Sequence, residues 1–124
     1  MNMQVDVELQ GDLLFATTSG TLSFDAALGV WKHVLETAAE HHVNRILVDA
    51  AAVDGTLSMT ERYRLATELS PLAAQDATIA VVGQSPTLEA FAEIVAQNLG
   101  RLIMMFPSRP EALRWLEELR EPRH

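Results

Sequence analysis

Met3, Val5, Val7 and Leu9 alternate with Gln4, Asp6 and Glu8, the period of a strand with one face in water. Gln10-Gly11-Asp12 interrupts this run and Leu13 to Thr18 resumes it, so the chain is expected to open on an antiparallel hairpin. After Gly20 the period changes. Phe24, Leu28, Trp31, Leu35 and Ala38 recur at helical spacing, while Lys32, Glu36 and Glu40 fall on other faces. Ser23 or Asp25 suits the N-cap of this helix, and His41-His42 stands where a cation suits its C-terminus.

The chain then alternates. Arg45-Ile46-Leu47-Val48-Asp49 reads as a strand covered on both faces. A loop through Asp54-Gly55 leads to a helix at about Met59–Leu69, which Ser70-Pro71 ends. Thr78 to Gly83 is the next strand. Ser85-Pro86 opens another helix, with the inner stripe Leu88, Phe91, Ala92, Val95 and Leu99, and Gly100 closes it. Leu102 to Phe106 is the last strand. Pro107-Ser108 turns into a final helix carrying Leu113, Leu116 and Leu119, and Ser108-Arg109-Pro110-Glu111 has capping-box spacing. The order ββαβαβαβα predicts an α/β fold, a single mixed sheet of about five strands with four helices, parallel except at the opening hairpin. Nothing divides the chain, so residues 1–124 read as one domain with a frayed tail at about 120–124.

Composition narrows the functional classes. At 124 residues the chain can bury a core without staples. Nine Lys and Arg against 17 Asp and Glu leave a formal net charge of −8, which repels phosphate backbones and so argues against nucleic acid as a partner. No apolar run approaches the roughly 20 residues of a membrane span. The absence of Cys removes disulfides, thiolate nucleophiles and Cys-ligated metals, and suits a cytoplasmic protein. Met1 to Asp6 has neither the basic nor the apolar region of a secretory signal.

Ligands and partners of open α/β sheets meet the loops at the carboxyl ends of the strands. Two such loops, Asp49 to Glu61 and Gly83 to Thr87, feed helix N-termini, where free N–H groups favour an anion. Ser58-Met59-Thr60-Glu61 fits S-x-x-E, so the Ser58 hydroxyl is expected to cap a backbone N–H while Glu61 returns the bond. Asp49 and Asp54 are the acids nearest a strand tip, but Asp54-Gly55 is also a ready-made turn. His41 and His42 point apart on a helix end, so no metal site is expected. Gly83-Gln84-Ser85-Pro86-Thr87 lacks the glycines of a dinucleotide fingerprint and the lysine of a P-loop, so no cofactor is expected either. Neither Ser58 nor Ser85 sits in a G-x-S-x-G elbow, and no His falls on a strand-end loop. The chain therefore reads as non-enzymatic. Trp31 and Trp115 lie on apolar helix faces, as core or interface area.

A strand ending in Val48-Asp49, then Val53-Asp54, then Ser58 opening a helix resembles the STAS domain, the SpoIIAA-like fold of anti-sigma factor antagonists. The resemblance spans nearly the whole chain as an order of elements. It implies a protein-binding regulatory module, and it sets Ser58 at the position that a partner kinase phosphorylates in switching members. Leu57, Met59 and Thr60 stand where their Asp-Ser-Ser-Gly motif has Asp, Ser and Gly. The ending, with Asn98-Leu99-Gly100-Arg101, Met105-Phe106-Pro107 and Glu111-Ala112-Leu113-Arg114-Trp115-Leu116, is similar to small bacterial STAS/SEC14-like proteins.

Two functions from different classes follow. One is a regulatory module whose recognition surface is the loop Asp54–Thr60 and the adjacent helix, with Asp54, Gly55, Thr56, Ser58 and Thr60 as its candidate residues and Ser58 as cap or phosphorylation site. The other is a small-ligand or lipid carrier with an apolar pocket between helices and sheet, lined by Phe24, Trp31, Phe91 and Met104. The opening strand is expected at a sheet edge, which makes a homodimer through that edge a further expectation.

Overall fold

In the computed structural model the alternating segment Gln4–Gln10 is the outer strand of a mixed sheet. The structure describes residues 3–72, 77–83 and 102–120. Along the chain these form β1 (Gln4–Gln10), β2 (Leu13–Thr21), α1 (Phe24–Glu40), β3 (Arg45–Asp54), α2 (Met59–Leu69), a 3-10 turn (Ser70–Leu72), β4 (Thr78–Val82), β5 (Leu102–Phe106) and α3 (Arg109–Arg120). The expected α/β class and five-strand mixed sheet are present, with three α-helices among the described residues. Residues 85–100, where a further helix was expected, lie outside the described residues, as do Phe91, Ser85 and the tail 121–124.

The strands lie in the order β1-β2-β3-β4-β5. β1 pairs antiparallel with β2, Gln4 opposite Ser19 and Gln10 opposite Leu13, and every later neighbour is parallel. Right-handed crossovers between adjacent parallel strands put their connecting helices on one side of a sheet. Accordingly α1 and α2 cover one face, where Val30, Trp31, Val34, Leu35, Leu65, Ala66 and Leu69 meet Leu14, Ala16, Ile46, Val48, Ile79, Val81 and Ile103. α3 follows the last strand and returns across the other face, laying Ala112 and Leu116 on Leu13, Leu47, Ala80 and Val82. The two-residue period of a strand divides Ile46 and Val48 from Leu47 in this way. Trp115 completes the second layer with its ring centroid 5.3 Å from that of Phe106. Leu14, Ile46, Leu47, Leu65, Leu116 and Val34 are fully enclosed, each stabilising the fold by roughly 1.5–3 kcal/mol.

Local signals set the helix ends. Ser23 is the N-cap of α1, its Oγ accepting the Ala26 N–H at 3.3 Å. At the other end His41 Nδ1 lies 2.9 Å from the Thr37 carbonyl, and His42 takes the left-handed conformation (φ 56°) that usually falls to glycine after a helix. The capping box expected at Ser108 and Glu111 is not made among the described residues. Glu111 stays exposed, and Ser108 offers α3 its carbonyl, which accepts the Ala112 N–H at 3.2 Å. α3 is pinned instead by Arg45, a buried side chain on β3 that donates from Nη1 to the Leu116 carbonyl at 2.9 Å and pairs through Nη2 with Asp12 in the hairpin turn. No described helix is long and apolar enough to cross a membrane.

Candidate functional site

β3 does not stop at Asp49, as its apolar run suggested, but continues to Asp54. The register with β2 shifts between Thr17 and Ser19, and beyond the shift Ser19, Gly20 and Thr21 pair with Ala52, Val53 and Asp54. Thr18, buried at that irregularity, is satisfied by donating its hydroxyl to the Asp49 carbonyl at 2.8 Å. The Leu22 N–H then bonds the Asp54 carbonyl at 2.8 Å and ties the start of α1 to the tip of β3. Asp54 is thus the last residue of a strand, and the loop to α2 is only residues 55–58.

Glycine suits the start of that loop. Gly55 has φ +93°, which other residues rarely adopt, and a Cβ there would lie 3.2 Å from the Leu22 nitrogen, a tight contact. Two residues on, Leu57 drops its side chain into the core at 5% exposure. Arg62 Nη1 holds the Leu57 carbonyl from α2 at 2.7 Å. Its Nε is enclosed and has no acceptor among the described residues. Ser58 then starts α2 with the reciprocal cap that S-x-x-E spacing implied. Its Oγ accepts the Glu61 N–H at 3.1 Å, and Glu61 Oε1 accepts the Ser58 N–H at 2.9 Å.

The outside of this anchored turn faces water. Asp54, Gly55, Thr56, Ser58 and Thr60 are all exposed. So are two large side chains that the sequence reading did not single out, Met59 at 65% and Tyr63 at 49% exposure. They are one helical turn apart and share a face. The signal for Tyr63 was in the pattern, because it falls off the Leu65, Ala66 and Leu69 stripe that enters the core.

Asp49 is committed elsewhere. Its Oδ2 accepts Arg109 Nε at 2.7 Å, and its Oδ1 accepts the Ala51 N–H at 3.1 Å. Arg109 also donates from Nη2 to Thr17 Oγ1 at 2.7 Å and stands over the Phe15 ring. This cluster fastens the start of α3 to the sheet and leaves Asp49 and Asp54 in different roles. Among the described residues no group of His, Asp and Glu has the makings of a metal site.

The residues expected to line an apolar ligand pocket do not converge. Trp31 is buried in the α1 layer, and Phe24 is half-buried beneath the Arg64 guanidinium, 4.4 Å from its ring centroid. Met104 aligns with Ala80 on the α3 side of the sheet, at 44% exposure. The sheet stands between them, and Phe91 lies outside the described residues. A groove of about 310 Å³ does exist, but it is lined by Met3, Val5, Asp25, Ala26, Gly29 and Val30.

No protein-family model matches the chain, and no curated protein matches it significantly. Solved structures do. An anti-sigma factor antagonist from Mycobacterium paratuberculosis superposes with TM-score 0.66 at 13% identity, over 94% of this chain and 95% of the other. A protein of the DUF3478 family with a SpoIIAA-like fold, from Shewanella loihica PV-4, gives 0.61 at 20% identity over 93% of each chain. The anti-sigma factor antagonist SpoIIAA in its unphosphorylated form gives 0.61 at 14% identity, over 92% and 98%. The fold of this chain is therefore SpoIIAA-like, that of the STAS domains.

Proposed function

We propose that the protein is a non-enzymatic regulatory module that binds a protein partner through the 55–58 loop and the first two turns of α2, with Ser58 as the residue whose phosphorylation turns binding off. One observation carries this reading: an exposed serine opens a helix whose first turns carry Met59 and Tyr63, which the fold leaves in water although its core has buried far smaller side chains. Adjacent exposed large apolar groups mark contact surfaces. The turn beneath them is held by Gly55, Leu57 and Arg62, so its shape exists before any partner arrives, which lowers the ordering cost of association. That two structural neighbours are anti-sigma factor antagonists supports the same class of activity. A phosphoryl group on Ser58 would sit at the positive end of α2 and add roughly −1.5 to −2 charges next to Met59.

The test is affinity isolation from the native cell with wild type, Ser58→Ala, Ser58→Asp and Met59→Asp. Wild type and Ser58→Ala should retain the same partner, and both acidic variants should lose it. If all four recover an identical set of proteins, Ser58 is a helix cap only and the surface is not a recognition site.

A further inference from the structure

β1 is the outermost strand of the sheet, and no described strand pairs with its free side. Its two faces differ. Met3, Val5 and Val7 reach the α1 layer yet stay half exposed, and Leu9 on the same face is 37% exposed. Gln4, Asp6 and Glu8 face water on the other side. Between β1 and the first turns of α1 runs the groove of about 310 Å³ floored by Met3, Val5, Ala26 and Val30, with Asp25 at its rim. At Gly29 the absent side chain leaves open space. Among the described residues no ion pair engages Asp6, Glu8 or Asp25, although Glu8 accepts a hydrogen bond from Gln10.

We infer that this edge and groove form a docking site for an extended segment of a partner protein in which basic and apolar residues alternate. A strand added to β1 would satisfy its outward N–H and C=O groups. Every second side chain would then lie on the face of Met3, Val5 and Val7, next to the groove, and the intervening ones would line up with Asp6 and Glu8. Opposite charges across a strand pair stabilise it and like charges oppose it. The same acids work against a second copy of this chain. A two-fold antiparallel pairing centred on Asp6, Val7 or Glu8 sets Asp6 against Asp6, Asp6 against Glu8, or Glu8 against Glu8. In these registers the edge disfavours a copy of itself and favours a cationic strand, a use of charge that sheet edges commonly show.

The probe is a seven-residue peptide of alternating lysine and isoleucine, matched to the length of β1, titrated into the full chain and followed by backbone amide shifts. Shifts should concentrate on Gln4–Gln10 and on the α1 turn from Asp25 to Val30. The glutamate–isoleucine counterpart should bind about tenfold more weakly or less. The exposed double substitution Asp6→Lys with Glu8→Lys should invert that preference. A lysine–isoleucine peptide N-methylated at every residue, which has no N–H to donate to β1 from either edge, should not bind. Should the double variant misfold, the two altered peptides against wild type still decide. Absence of binding, shifts elsewhere, indifference to peptide charge or to N-methylation, or light scattering that reports a dimer of this chain joined through β1 would each overturn the inference.

Discussion

Replacing Ser58 with alanine removes one half of the reciprocal cap and little else, because the side chain is exposed and buries no apolar area. The Glu61 N–H loses its acceptor at 3.1 Å, while Glu61 Oε1 can still accept from residue 58. Loss of an N-cap hydroxyl costs about 1 kcal/mol, whereas glycine at the same position costs only a few tenths. With a urea slope of roughly 1.5 kcal/mol/M for a small domain, the midpoint should fall by about 0.7 M. The melting temperature should drop by roughly 3–6 °C. Glu61→Gln keeps an acceptor oxygen but loses the negative charge at the positive end of α2, so it should cost roughly 0.3–1 kcal/mol. Urea denaturation followed by tryptophan fluorescence measures these changes, since Trp31 lies in the α1 layer and Trp115 in the α3 layer. The order of stability should be serine, then glycine, then alanine, although glycine is the worse residue inside a helix. An alanine variant as stable as wild type, or no more destabilised than glycine, would refute the cap.

Four further outcomes follow from contacts elsewhere in the fold. Leu57→Ala, at a leucine 5% exposed in the site loop, should cost about 2–5 kcal/mol in urea denaturation; a loss below about 1 kcal/mol would mean that the loop is not anchored in the core. His42→Gly relieves a left-handed backbone at φ 56° and should raise stability by roughly 0.5–1 kcal/mol by thermal melting. Asp12→Ala leaves the Arg45 guanidinium, whose side chain is 8% exposed, without its counter-ion. It should cost about 2 kcal/mol, below the range for a fully buried pair because Asp12 itself reaches solvent. Glu68→Ala, which breaks the exposed Arg64 pair, should change denaturant stability by less than about 0.5 kcal/mol.

What could be read in the chain before its structure was local. Residues 3–9 and 24–38 declare their elements by period, and 102–106 by a short apolar run between Gly100 and Pro107. The Ser58–Glu61 cap is a four-residue motif whose partners meet whenever the helix forms. The extension of β3 was not legible in this way, because Ala50-Ala51-Ala52 has no apolar period and the strand is carried on by Ala52, Val53 and Asp54 pairing with Ser19, Gly20 and Thr21 beyond the register shift. Arg109 and Asp49 are sixty positions apart and Arg45 and Leu116 are seventy-one, so only the return of α3 over the sheet joins them. The site divides along the same line. Ser58 and Gly55 announced themselves as cap and turn, whereas the exposure of Met59 and the burial of Leu57 depend on how the loop sits over α1 and the β3 tip. S-x-x-E spacing at Ser108 gave a false signal, since Glu111 turns to solvent there while Arg109 is drawn to Asp49.

Photocrosslinking from α2 tests the recognition surface most directly. With benzoylphenylalanine in place of Tyr63, and in a parallel protein in place of exposed Glu118 on α3, irradiation in the native cell should yield one discrete adduct from position 63 and none from position 118. Met59→Asp should abolish that adduct. An adduct from position 118 with position 63 unreactive, or one at position 63 that persists with Met59→Asp, would contradict a partner seated on the start of α2.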